Sequence, residues 1–419
     1  MPHHYLLNHS RRASAPLTVA CFFLLSLFCA AAPAHTAELV SQVQNAPIVS
    51  ESPWIDPAGT APPAFFSTIS KNGRYVVFLS TAANLMPGQQ QRSFGFYRYD
   101  QNVDASDLFL GHANAWITSL RFINNDQALF FTSRASNLLD PTSTEPPHDD
   151  NRSYVYSPDT NRIVAFDPQG LLDGKEVVYA DDGIGAAFAV EDSNGTYSVS
   201  VYSRTKSKLR TAAAGSNRKV TPTHFSGDGR FLLLSTLATN LNLADTDDEA
   251  STYLLDTEDL SIQLIGNDLQ GYVRPDWINH NGSKVLLRTS SENFIHEDQS
   301  LTPWLWMLLD RATGSYERVP IKTFVQDPMS GAPYFPFLLD MSEDTRYLSL
   351  YRDRIQGRYS GITYNIYDRL ENKAIHVTKG IDSRTVRHNA DRPNISSDCL
   401  LYTSPSPRDL STSRMPSSA

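Results

Sequence analysis

The chain has 419 residues, with 36 Lys and Arg against 45 Asp and Glu, a formal net charge of −9 at pH 7. This acidic balance argues against nucleic acid or anionic lipid as a partner, where a basic patch is expected. Aromatic residues at 11% and charged residues at only 19% exclude a solvated, disordered chain and point to packed, strand-rich structure.

Residues 1–34 read as a secretory leader. Arg11 and Arg12 form a positive n-region, and Ala32-Pro33-Ala34 supplies a small-x-small cleavage site. The apolar run 17–32, of 16 residues, is shorter than the ~20 residues needed to span a bilayer. Cys21 and Cys29 leave with the leader and Cys399 lies in the tail, so the body carries no cysteine. That excludes disulfides and thiolate metal sites there. Without the leader the count is 34 basic against 45 acidic residues, or −11. Segment 35–59 follows, with 39–43 placed as a strand that closes the last blade against the first.

From residue 60 to 398 a short polar turn recurs, each time introducing an apolar run. Ser70-Lys71-Asn72-Gly73-Arg74-Tyr75 leads into Val76-Val77-Phe78, and Ser226-Gly227-Asp228-Gly229-Arg230-Phe231 into Leu232-Leu233-Leu234. Ser342-Glu343-Asp344-Thr345-Arg346-Tyr347 leads into Leu348-Ser349-Leu350. Weaker copies give equivalent Asn/Asp positions at 72, 125, 182, 228, 281, 344 and 398, spaced 53, 57, 46, 53, 63 and 54 apart. A period of this size marks a repeat architecture. Within a unit, an Asx-Gly turn joins two strands, since Gly and Asn accept the positive φ of tight hairpins. A polar loop with Ala-x-Asn-Leu follows, at Asn84, Asn137 and Asn240, where the Asn is expected to bond its own backbone and to take the left-handed conformation a turn needs. A third strand then ends in Asp100, Asp256, Asp310 or Asp368, expected to accept backbone N–H bonds of the turn that follows, ahead of a fourth strand. Four short antiparallel strands per repeat describe a propeller blade. The fold class is therefore all-β: a β-propeller of four-stranded antiparallel blades, seven by the count of turns with six to eight compatible, the last truncated. The blades fall near 60–112, 113–167, 168–215, 216–267, 268–320, 321–381 and, in part, 382–398.

These turns, with Ala83-Asn84-Leu85-Met86-Pro87-Gly88, 96–100, 238–241 and 253–256, resemble the WD40-like (PD40, TolB-type) propeller repeat of bacterial secreted proteins. The resemblance covers residues 60 to 398, is strongest in the first and fourth units and poorest in the third, and implies an architecture more than a function. The tail, 399–419, is Ser/Pro-rich and resembles translated sequencing-adapter read-through. A disordered tail is the alternative.

No Gly-x-Ser-x-Gly or His-Glu-x-x-His is present, and no residue is assigned a catalytic, cofactor-binding or metal-binding role. Asp245, Asp247 and Glu249 alternate as calcium ligands do, but Ala250 replaces the expected Gly, and a solvated turn outweighs the metal reading. The first strand of each blade lines the channel of a propeller. Residues near the repeated turns are thus placed at the channel mouth: Trp116, His224, Arg274, Asp276, His388, Asp391 and Arg392. They form a candidate peptide or small-ligand site, against the plainer reading that they hydrate the rim. The expected function is an exported, non-catalytic scaffold, periplasmic or extracellular, that binds a protein or cell-envelope component without a transmembrane span. The alternatives are the propeller of a truncated prolyl-oligopeptidase-like serine peptidase, a carbohydrate-active propeller, and a TolB-like envelope partner.

Overall fold

A computed structural model of the chain describes residues 67–70, 72, 74–80, 95–100, 105–108, 115, 117–123, 126–158, 160–242, 244–245, 248–269, 271–290, 305–319, 337–356 and 359–376. The leader, segment 35–59 with its closing strand, the partial blade 382–398 and the tail lie outside them. The described strands form six four-stranded antiparallel sheets, each a consecutive meander. Blade one holds β1 (Ser67–Ile69), β2 (Tyr75–Ser80), β3 (Gly95–Asp100) and β4 (Ala105–Leu108). Blade two holds β5 (Ile117–Ile123), β6 (Ala128–Ser133), β7 (Arg152–Ser157) and β8 (Arg162–Ala165). Blade three holds β9 (Val178–Tyr179), β10 (Gly185–Glu191), β11 (Tyr197–Ser203) and β12 (Lys208–Ser216). Blade four holds β13 (Val220–Phe225), β14 (Phe231–Thr236), β15 (Ser251–Asp256) and β16 (Ile262–Ile265). Blade five holds β17 (Val273–Ile278), β18 (Lys284–Thr289), β19 (Leu305–Asp310) and β20 (Ser315–Val319). Blade six holds β21 (Phe337–Met341), β22 (Tyr347–Gln356), β23 (Tyr359–Asp368) and β24 (Lys373–His376). The expected seventh turn falls outside the described residues, so six blades is the number shown among them. Blade three lacks the Asn-Leu loop because β10 and β11 are joined by a tight turn, Asp192 to Thr196, with Gly195 at φ 73°.

The cores lie between blades rather than within them. Leu232, Leu234, Tyr253 and Leu255 face blade three, while Leu233, Leu254 and Ile265 face blade five. A sheet buried on both faces reads as a continuous apolar run, which is why the triple leucine carries no alternation. The same arrangement joins blades one to two, two to three, and five to six. The inner strands β1 and β5, β9 and β13, β13 and β17, and β17 and β21 are neighbours across successive blades. An inner strand is a sheet edge, where Pro and bulges are tolerated. Pro222 and Pro275 stand there, each beside a register shift in the pairing to the second strand.

The repeated turn closes in one way in three blades. The Ser70 hydroxyl donates to Asn72 Oδ1 (2.8 Å) and accepts the Tyr75 N–H (2.8 Å). Ser226 with Asp228, and Ser342 with Asp344, repeat both bonds. In blades two to six the positive-φ residue of the turn is Asp126, Gly183, Gly229, Gly282 and Thr345 in order. The turns also form the seam between blades. The Asn72 N–H donates to Asp126 (2.9 Å), the Asp228 N–H to His280 O (2.9 Å) and the His280 N–H to Glu343 Oε2 (2.8 Å). Each Asp closing a third strand accepts backbone N–H bonds in blades four, five and six, as expected. It also pairs with the basic residue that follows its blade's turn: Arg74–Asp100 (2.8 Å), Arg230–Asp256 (3.1 Å), Lys284–Asp310 (2.5 Å) and Arg346–Asp368 (2.6 Å). Asn240 departs from expectation. It bonds not its own turn but the chain before β13, donating to Gly215 O (2.8 Å) and accepting from Asn217 N–H (3.0 Å). It and Asn137 are absent from the described residues with positive φ.

Candidate ligand-binding channel

At the turn end of the inner strands lies a cavity of about 260 Å³ whose lining comes from all six blades. Blade one supplies Thr68 and Ile69, blade two Arg121 and Phe122, and blade three Asp181. Blade four supplies Phe225 and Gly227, blade five Trp277 and Ile278, and blade six Asp340, Met341, Ser342 and Glu343. Counting back from the turns, Thr68, Arg121, His224, Trp277 and Asp340 occupy one register position, and Ile69, Phe122, Phe225, Ile278 and Met341 the next. The second set is uniformly apolar, the first chemically mixed. Constant packing under a variable rim is what radial repetition offers a binding site.

Arg121 is held from two sides. Its Nη1 lies 3.3 Å from Asp181, and its guanidinium stands 5.2 Å from the Phe130 ring centroid and 5.9 Å from that of Tyr179. The blade-six acids are aimed by main chain: Asp340 Oδ1 accepts the Met341 N–H and Glu343 Oε2 the His280 N–H, both at 2.8 Å.

Of the residues expected at the mouth, Trp116, His388, Asp391 and Arg392 lie outside the described residues. His224 is exposed on β13. Arg274 is exposed on β17 and stacks 4.9 Å from the Tyr272 ring centroid. Asp276 takes hydrogen bonds from Trp306 Nε1 (2.6 Å) and Arg288 Nη2 (3.1 Å). Burial pushes its carboxyl above the usual range, against the pull of Arg288 and the Trp306 bond. Its partners lie within blade five, and it stands with Arg274 farther up the strand than Trp277 and Ile278. Arg121 and Asp340 share one offset from the turn and Asp181 and Glu343 another, so all four were legible only by aligning the turns. Asp245 is buried and accepts the Tyr253 hydroxyl (2.7 Å), while Asp247 lies outside the described residues. Burial and that bond hold the Tyr253 phenol above its ordinary range.

The chain is a β-propeller. No protein-family model and no curated protein sequence matches it. Among solved structures, an oligogalacturonate lyase from Vibrio parahaemolyticus is similar at 10% identity and a TM-score of 0.49, over 81% of this chain and 87% of that one. TolB from Acinetobacter baumannii is similar at 11% identity and a TM-score of 0.39, over 75% of this chain and 62% of that one. The propeller domain of the trilobed protease from Pyrococcus furiosus gives 12% identity and a TM-score of 0.38, over 67% and 75%. The chain thus spans less than two thirds of the TolB structure. The likeness to TolB-type propellers is one of fold, and propellers host many functions. No helix among the described residues is long and apolar enough to cross a membrane.

Proposed function

We propose that the chain is an exported, non-catalytic β-propeller that binds a protein or cell-envelope component at the turn-end mouth of its channel. The observation that carries this reading is the cavity to which every described blade contributes. Such a site exists only in the assembled ring, and its variable positions differ from blade to blade while the turns beneath them repeat. The partly buried acids support a structural rather than a chemical use. Asp276 ties three strands of blade five together through Arg288 and Trp306, and Asp182 accepts the Ile184 and Gly185 N–H groups of its own turn. Export rests on the leader at 1–34.

The test is site-specific cross-linking in a bacterial host that exports the full chain. A photoreactive residue replaces Asp340 in one variant and Lys206, on the outer hairpin of blade three, in a control. A discrete adduct from position 340 and none from 206 is the expected result. Equal labelling at both positions, or labelling at 206 alone, overturns the reading.

A further inference from the structure

Blade five carries a pair of guanidiniums at the end of its inner strand away from the turn. Arg274, near the start of β17, stands directly opposite Arg288 on β18, and Arg288 opposite Trp306 on β19. Residues directly opposite in an antiparallel pair share one face, and like charges placed so repel. Trp306 joins the core between blades five and six, so the row lies on the face toward blade six. The repeat does not require this row. Blade four has its proline and register shift in the same places, with Thr221 opposite Ser235 and Ser235 opposite Thr252. In blade five one carboxylate serves both guanidiniums. Asp276 accepts from Arg288 Nη2 (3.1 Å) on one oxygen and from Trp306 Nε1 (2.6 Å) on the other. Arg274 is exposed and forms no ion pair among the described residues, and the Tyr272 ring backs its guanidinium at 4.9 Å. Arg288 Nε is buried and has no hydrogen-bond partner among the described residues. Native structures seldom leave a buried donor in that state. Donors therefore exceed acceptors across the pair, and Arg274 lacks the opposite charge that Arg288 has.

We propose that Arg274 and Arg288 together bind a carboxylate group, with Tyr272 backing Arg274. A carboxylate meets a guanidinium through two parallel charge-assisted bonds, and it supplies the counter-charge that Asp276 gives to one arginine of the two. The terminal carboxylate of a peptide and an acidic side chain share that chemistry. The assignment is independent of the turn-end mouth.

The probes are N-acetylglycine and Nα-acetylglutamate amide, each compared with its uncharged amide and titrated into the full chain with ligand-detected NMR as readout. Inorganic phosphate is the competing oxyanion. At least one of the two acids should bind about tenfold more tightly than its amide and weaken as salt is raised. The acid preferred separates a chain terminus from a side chain, and either preference supports the class. Arg274→Gln should lose the preference for acid over amide at an unchanged melting temperature, since the side chain has no ion pair to forfeit. Arg288→Lys keeps a cation for Asp276 without the planar fork and should weaken binding severalfold. Arg318→Gln, exposed on β20 of the same blade, should leave affinity unchanged. Should Arg274→Gln fold poorly, Arg274→Lys, which keeps the charge and loses the fork, decides by its own loss of the preference. Equal binding of acid and amide, no binding of either acid, or tighter binding of phosphate than of both acids overturns the assignment. So does an equal loss of affinity in Arg274→Gln and Arg318→Gln.

Discussion

Replacing Gly282 by Ala should destabilise the chain through two separable effects, and Gly314 supplies the control for one of them. Both glycines lie in blade five with φ of 71°. An L-residue in that left-handed conformation costs roughly 1–2 kcal/mol. A Cβ at Gly314 meets nothing within 4 Å, whereas at Gly282 it overlaps Cδ2 of Phe231 on blade four. That ring is packed against the core between blades four and five and lies 4.4 Å from the Arg311 guanidinium, so it cannot retreat freely. Forcing one carbon into such packing adds about 1–3 kcal/mol. Gly314→Ala should therefore lose about 1–2 kcal/mol and Gly282→Ala about 2–5 kcal/mol. Urea unfolding of the full chain, with midpoint and slope fitted for each variant, measures the gap. Equal losses within about 0.5 kcal/mol would show that the turn shapes its own hairpin only and that the seam contributes nothing.

Asp276→Ala removes the counter-charge of Arg288, whose side chain is only 24% exposed, and should cost about 2–4 kcal/mol by chemical denaturation. Asp276→Asn keeps an acceptor for Trp306 and should cost less. Because burial raises the folded pKa of Asp276, its contribution to stability should increase as pH falls through the folded value toward the ordinary 3.8. The Asn variant should lack that increase, and an unchanged pH profile would refute the assignment. Asp368 has the opposite sign. Burial pushes its carboxyl up, but Arg346 and the Glu371 and Leu370 N–H groups outweigh it and hold the pKa below the ordinary value. The stability it contributes is present above 3.8 and lost as pH falls through the folded value. Arg346→Met should cost about 1–3 kcal/mol and flatten that acid limb. Arg230→Met, at the equivalent pair but with its side chain 54% exposed, should cost under about 1 kcal/mol.

The turn spacing made the blades legible because each unit repeats the same backbone problem: a hairpin needing positive φ after an Asx residue. It also placed the closing aspartates, whose turn bonds are local. It left hidden the partners across the seam, such as Asp126 for Asn72 and Glu343 for His280. No local pattern fixes which residue faces the next sheet. The Arg–Asp pairs joined positions 22 or 26 residues apart, visible only when units are stacked. The Asn-Leu loop misled for the same reason: Asn240 serves a contact with the end of β12 and the linker that leads into its blade. His224 stood out by type, while Arg121 and Asp340 at the same register did not, since one lies in a weak repeat copy and the other follows a run of leucines.

Glu343, like the Arg121–Asp181 pair, joins a bond across the seam to a place in the cavity lining. Its Oε2 accepts the His280 N–H across the seam, and its carboxylate belongs to the cavity lining. Glu343→Gln retains an amide oxygen for the His280 N–H and removes the charge. Its stability should stay within about 1 kcal/mol of the parent by urea unfolding. Glu343→Ala removes the acceptor as well and should cost about 1–3 kcal/mol. If Gln destabilises as much as Ala, the charge itself, and not the acceptor oxygen, holds the two blades together.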